Sequence, residues 1–213
     1  QYADHLFIMT YDEHYEGGAA GPVAGIQFVE NSIQYALSKT TADKIVIGVP
    51  LYGRVWSLDD NRIIGKGISS KTIQDILNNC ESTVTYDETS QSVKAEFTIT
   101  DQSTRYTVGG DFVLQPGKYV VWYENDQSYE AKLGLVEKYN LKGAGSWALG
   151  QEDPSIWDHY EEWVNGEMED TTPSEPEESE PPISSDTPES SAPPTTEQPD
   201  SSNPTEPESP DLP

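Results

Sequence analysis

The chain is 213 residues long and carries 38 Asp and Glu against 12 Lys and Arg, a formal net charge of −26 at pH 7. Nothing resembles the basic stripe that nucleic-acid binding needs, so nucleic acid is excluded as a partner, and no apolar run approaches the ~20 residues of a membrane-spanning helix. The one cysteine, Cys80, rules out an internal disulfide and fits no metal-ligand spacing; it is expected to be a buried, inert thiol, and no metal or cofactor is expected.

In chain order, Leu6, Phe7, Ile8 and Met9 form a short apolar run with β propensity that ends at Thr10, Tyr11, Asp12 and Glu13. This reads as a strand buried on both faces whose C-terminal end delivers polar side chains. A Gly-rich loop follows (Gly17, Gly18, Ala19, Ala20, Gly21, Pro22), and then Val29, Ile33, Ala36 and Leu37 recur at helical spacing over residues 26–38. Residues 44–50 are again continuously apolar, so strand, helix and strand make a βα repeat of the kind found in parallel sheets.

The alternation breaks over residues 57–123, where short alternating stretches (93–100, 104–108) are punctuated by Gly109, Gly110 and Gly117 around a helical piece at 71–79. This predicts a small α+β insertion, with 119–123 as its last strand. Helical period resumes over 127–139 with Ala131, Leu133, Leu135, Val136 and Tyr139. Residues 143–148 form a small-residue strand ending at Trp147, and 154–164 a last helix capped by Asp153. Residues 1–166 thus form the folded part. Residues 167–213, built almost wholly from Pro, Ser, Thr, Glu and Asp, are expected to stay a disordered acidic linker, since they offer too little apolar surface to offset ordering.

Tyr, Trp, Asp and Arg at the C-terminal ends of three strands suit a barrel enzyme's binding face and a carbohydrate ligand. An indole covers the apolar face of a pyranose, while Asp and Arg satisfy its hydroxyls. Taken singly, Tyr11 and Trp147 read as core and Arg54 as a surface charge; three strand ends in register favour a site instead.

The motifs Met9-x-Tyr11-Asp12, Gly48-x-Pro50-x-Tyr52-Gly53-Arg54 and Gly143-x-Gly145-x-Trp147 resemble strands six, seven and eight of the family 18 glycoside hydrolases, which include the chitinases. Tyr11-Asp12-Glu13-His14-Tyr15 and the segment around Gly143 are most similar to bacterial cell-wall and spore-cortex members. The resemblance implies an α/β fold: the C-terminal part of a TIM (β/α)8 barrel, with a small insertion between strands seven and eight. A closed barrel needs about 250 residues, so the chain is expected to be part of a longer protein. Its implied activity is hydrolysis of β-1,4 bonds in N-acetylglucosamine-containing polysaccharide, chitin or peptidoglycan, with the substrate's own acetamido oxygen as nucleophile.

On that pattern Tyr11 and Asp12 are catalytic: Tyr11 donates to the acetamido group, and Asp12 contacts the sugar and tunes the acid. Trp147 floors the reacting sugar, Tyr52 and Arg54 line the cleft, and Met9 packs beneath the acetamido pocket. The family's Asp-x-x-Asp-x-Asp-x-Glu motif, which carries the general acid, does not occur in these residues, so this polypeptide by itself is expected to be inactive. A non-catalytic chitinase-like lectin and an envelope-anchored structural protein are the alternatives. Glu13 and His14 are open to sugar contact or to a solvated loop. The linker implies an extracellular or cell-wall location, with a signal peptide upstream and an anchoring or binding segment downstream.

Overall fold

The unbroken apolar run at 45–50 forms the centre of a parallel sheet in the computed structural model, which describes residues 3–60 and 62–165. Strand β1 (Leu6–Met9) leads through a loop to helix α1 (Ile26–Leu37), a short 3-10 turn (Ala42–Lys44) and strand β2 (Ile45–Pro50). Then come β3 (Tyr52–Ser57), β4 (Ile64–Ser69), α2 (Ser70–Asn79), β5 (Ser82–Asp87), β6 (Ser92–Ile99), β7 (Thr107–Val108), β8 (Phe112–Val113) and β9 (Gly117–Tyr123). The chain continues with α3 (Asp126–Lys138), β10 (Gly143–Trp147), a 3-10 turn (Pro154–Asp158) and α4 (Tyr160–Asn165).

β1 and β10 both pair with β2 in parallel, Leu6 opposite Ile45 at one side and Trp147 opposite Pro50 at the other. Helices α1 and α3 cover one face: Val29, Ile33 and Ala36 of α1 and Leu135 and Val136 of α3 bury Ile45 and Ile47. Each fully buried aliphatic side chain contributes about 1.5–3 kcal/mol, which makes this the anchor of the parallel region. On the other face the Phe7 ring lies across two glycines. A Cβ at Gly48 would stand 2.7 Å from that ring, and one at Gly145 would run into it. The glycines are what let the ring approach the sheet backbone.

The residues between β2 and α3 build a second, wholly antiparallel sheet in the order β4-β3-β9-β6-β5. Its core is Val55, Ile68, Val93, Ala95, Phe97 and Val121 packed on Ile73 and Ile76 of α2. Ser69 caps α2 by accepting from the Thr72 N–H at 3.1 Å.

Several expectations need correcting. The strand at 6–9 is not buried on both faces: Leu6, Phe7 and Met9 are exposed, because β1 has one strand neighbour and only Ile8 points into the helix layer. The antiparallel region opens at Tyr52 rather than at residue 57, so Tyr52 and Arg54 start β3 and do not end β2. β4 and β5 were not foreseen as strands. The predicted helix at 154–164 is split at His159 into a 3-10 turn and α4, although Asp153 does cap it, accepting from the Ser155 N–H at 3.1 Å. Cys80 is partly, not fully, buried, at the C-terminal cap of α2. The predicted linker, 167–213, lies outside the described residues.

Candidate functional site

Thr10, buried just past β1, donates from Oγ1 to the Gly48 carbonyl at 2.6 Å and fixes the strand end onto β2. The next two residues turn outward, with Asp12 in the left-handed region at φ +62°. A non-glycine residue there is uncommon and persists only where its surroundings hold it. The Asp12 side chain is held firmly. Its Oδ1 accepts from the Tyr52 hydroxyl at 2.6 Å, from Arg54 Nε at 2.8 Å and from Arg54 Nη2 at 2.7 Å. Arg54 spends its remaining terminal nitrogen on the Gly65 carbonyl at 2.7 Å.

Asp12, Tyr52 and Arg54 line a cavity of about 390 Å³ together with Met9, Tyr11, Gly67, Trp147 and Gln151. Met9 and Trp147 are the last residues of β1 and β10, so the cavity opens at the C-terminal ends of the parallel strands. Trp147 is 57% exposed and Met9 69%; neither is core. Arg54 is not a free surface charge, for its side chain is only 14% exposed. The Tyr11 and Tyr52 rings meet edge to face, 6.3 Å between centroids. The Trp147–Ala148 peptide bond is cis.

Burial and then the neighbouring Asp12 charge raise the Tyr11 phenol above its ordinary value. Tyr52 is raised much further, chiefly by burial and then by its hydrogen bond to Asp12. Both hydroxyls are therefore proton donors at neutral pH. The chemistry available is a phenol donor, an oriented carboxylate with Oδ2 uncommitted among the described residues, and an exposed indole. That set binds and orients a polar ring with one apolar face.

The structure thus brings together all six residues singled out from the sequence: Met9, Tyr11, Asp12, Tyr52, Arg54 and Trp147. Gly67 and Gln151 were missed. A Cβ at Gly67 would meet nothing within 4 Å, so glycine leaves that wall open, and no pattern marks such a role. Gln151 is placed by its backbone, whose carbonyl accepts from the Ser70 N–H at 2.7 Å. Glu13 and His14 are partly buried and do not line the cavity. Glu13 Oε2 accepts from the Gly25 N–H at 2.8 Å, and His14 Nδ1 donates to the Pro22 carbonyl at 3.0 Å. A larger groove of about 700 Å³ between α1 and α3 carries Glu30, Glu88 and Glu130, and its Lys138 is paired with Glu30. Its one aromatic lining residue is Tyr86, and none of its lining residues lies at the C-terminal ends of β1, β2 or β10. Among the described residues no cluster of His, Cys, Asp or Glu could hold a metal ion, and no helix is long and apolar enough to cross a membrane.

The profile of the glycosyl hydrolases family 18 matches residues 1–152, and the chain belongs to that family. It is 32% identical over 157 residues to the uncharacterized glycosylase YvbX of Bacillus subtilis, covering 74% of this chain and 41% of that protein. It is 31% identical over 156 residues to the cortical fragment-lytic enzyme of the same organism, covering 72% and 33%. Among solved structures, a chitinase from Chromobacterium violaceum superposes with a TM-score of 0.63 at 30% identity, over 76% of this chain and 46% of that one. The chain therefore has the α/β fold of the family 18 chitinases and spans less than half the length of these relatives.

Proposed function

From membership of family 18 we propose that the chain supplies the substrate-orienting side of a glycosidase. The enzyme cleaves β-1,4 bonds of N-acetylglucosamine-containing polysaccharide with retention of configuration. In this reading β1, β2 and β10 are strands six, seven and eight of a (β/α)8 barrel, and the antiparallel region is the insertion between seven and eight. The bare face carrying Phe7 and Met9 supports it, as does the exposed edge of β1. The observation that carries the functional reading is the convergence of Tyr11, Asp12 and Trp147 on one cavity at the strand ends.

In the proposed reaction the substrate's acetamido oxygen attacks the anomeric carbon and forms an oxazolinium ion, while a general acid protonates the departing oxygen. Tyr11 donates its hydroxyl to the acetamido oxygen and steers it. Asp12, immobilised through Oδ1, offers Oδ2 to the acetamido N–H or to a sugar hydroxyl. Trp147 supports the apolar face of the ring. Among the described residues Asp12 is the one carboxylate lining the cavity, and its Oδ1 is already committed to Tyr52 and Arg54. The general acid is accordingly assigned to a Glu outside these residues. The proposed substrate is chitin or peptidoglycan glycan strands, since relatives are named both as cortical fragment-lytic enzymes and as chitinases, and the proposed location is the cell wall or outside the cell.

The test is hydrolysis by the full-length protein of N-acetylated glycan oligomers and of their deacetylated counterparts, with the product anomer followed by NMR. Retention, and cleavage confined to acetylated substrates, is the expected result. Equal rates on both would defeat the substrate-assisted reading. Binding of the oligomers without cleavage would favour the lectin alternative.

A further inference from the structure

We infer that Glu13 is a positioning residue for the Tyr11–Asp12 pair, acting as a clamp between the strand end and helix α1. The inference rests on the glycosidase reading for its effect on rate, but not for the clamp itself.

Asp12 at φ +62° is in a conformation that few non-glycine residues adopt, so its surroundings must hold the backbone there. The restraint comes from Glu13 on both its main chain and its side chain. The Glu13 N–H donates to the Val23 carbonyl at 2.9 Å, and Oε2 accepts from the Gly25 N–H at 2.8 Å. His14 extends the zipper through its 3.0 Å bond to the Pro22 carbonyl. Residues 13 and 14, directly after Asp12, are thereby fastened to 22–25.

Gly25 is the residue at which α1 starts. It has no side chain to cap the helix, and the first turn of α1 contains no acidic residue. At that helix end the Gly25 N–H is met by the Glu13 carboxylate and the Ile26 N–H by the Ser90 carbonyl at 2.8 Å, and the carboxylate also suits the partial positive charge there. α1 is a rigid anchor, because Val29, Ile33 and Ala36 are buried against β2 and α3. The loop glycines fit the same device. A Cβ at Gly25 would stand 2.7 Å from Glu13 Oε2, and one at Gly21 2.5 Å from the His14 ring. The loop backbone closes directly on the two clamping side chains.

Two adjacent residue pairs thus divide the work. Tyr11 and Asp12 face the cavity, and Glu13 and His14 tie the turn to the core. Loss of the clamp lets Asp12 relax and displaces both reacting groups, whereas Trp147 on β10 stays in place. The rate should fall while sugar binding is retained.

The experiment compares Glu13→Ala and Glu13→Gln in the full-length protein, by steady-state kinetics on N-acetylated oligomers and by amide hydrogen exchange. Glu13→Ala should lower kcat by roughly 10–100-fold, the scale of a misplaced catalytic group. KM should be nearly unchanged, and exchange at Gly25 should be faster. Glu13→Gln keeps an acceptor oxygen for the Gly25 N–H and should restore kcat and protection. Should Glu13→Ala fail to fold, Gly25→Ala crowds the same carboxylate and should give the same drop in kcat. A wild-type kcat in Glu13→Ala overturns the inference, and so does an equal kcat loss in the Ala and Gln variants with melting temperatures unchanged. If the wild-type protein cleaves nothing, the glycosidase reading fails by itself, and unchanged exchange at Gly25 in Glu13→Ala then overturns the clamp.

Discussion

Arg54 grips Asp12 by a single oxygen: Nε and Nη2 stand 2.8 and 2.7 Å from Oδ1, and Oδ2 has no hydrogen-bond partner among the described residues. The contact spans two sheets, for Asp12 follows β1 of the parallel sheet and Arg54 lies on β3 of the antiparallel one. A planar guanidinium can present two N–H groups to one acceptor and a third to the Gly65 carbonyl; an ammonium on a flexible stem cannot reproduce that geometry. Arg54→Lys is therefore expected to lower kcat/KM by up to about 100-fold through misplacement of Asp12, with little change in melting temperature. Wild-type kinetics in the lysine variant would show that charge alone suffices.

Tyr11→Phe removes the phenol that the mechanism assigns to the acetamido group. Loss of one transition-state donor typically costs about 100- to 1000-fold in kcat. Substrate affinity should change little, since the ring and its edge contact with Tyr52 remain. Comparison of kcat with oligomer affinity checks this. Unchanged kcat would remove Tyr11 from the mechanism.

How much of this was legible beforehand depends on the range of the interaction. α1 and β2 declared themselves because their periodicity is local: Val29, Ile33 and Ala36 are spaced for one helix face, and the run at 45–50 is apolar throughout. β4 was hidden by Gly65 and Gly67, which argue against a strand. β5 was hidden because it lies at a sheet edge and Thr83, Val84 and Thr85 are all exposed. Tyr52 and Arg54 were assigned to the wrong strand because one residue, Leu51, links β2 to β3 without any turn signal. The six motif residues line one cavity. The bonds that hold Asp12, from partners 40 and 42 residues away, could not be read from spacing.

Trp147→Ala should damage sugar binding and leave folding almost untouched. The side chain is 57% exposed, so few core contacts are lost and stability should stay within roughly 0.5 kcal/mol. Loss of the indole platform should weaken oligomer binding by about 1–3 kcal/mol, or roughly 5- to 150-fold in Kd. Calorimetric titration with N-acetylated oligomers measures it, and equal affinities would remove Trp147 from the sugar site.

The raised phenols of Tyr11 and Tyr52 give a pH signature. An unfolded tyrosine ionises near pH ~10, and the folded state holds these protons more tightly. Their contribution to stability is then full below about pH 10 and is lost as pH rises through the folded values. The alkaline limb of kcat that belongs to Tyr11 should accordingly lie above pH ~10. A phenolate absorbance change at lower pH that disappears in Tyr11→Phe would contradict this.

The most severe loss of stability is expected at a pair far less conspicuous than the cavity. The side chains of Lys132 on α3 and Glu124, just past β9, are both 0% exposed, with Nζ 2.6 Å from Oε2. Lys132 satisfies its other two donors with the Gln91 carbonyl at 2.6 Å and Ser92 Oγ at 3.2 Å. The cluster thus ties the antiparallel sheet to the helix layer of the parallel one. Burial pushes the Glu124 carboxyl up, against the lowering effect of Lys132. Lys132→Met should strand that carboxylate without a countercharge and cost about 3–5 kcal/mol, whereas replacing both residues with apolar side chains of similar volume should cost much less. The sign with pH separates this from simple loss of packing. With Lys132 gone, the folded-state pKa of Glu124 rises further, so the folded protein binds that proton more tightly than the unfolded chain. The lost stability should then return as pH falls through the folded value towards the ordinary carboxylate range, and be most severe at neutral pH. Denaturant midpoints of wild type, Lys132→Met and the double variant at pH 7 and at about pH 5, nearer the ordinary carboxylate range, decide the matter. A single variant as stable as wild type at neutral pH would show that the pair contributes nothing, and one equally destabilised at both values would point to packing.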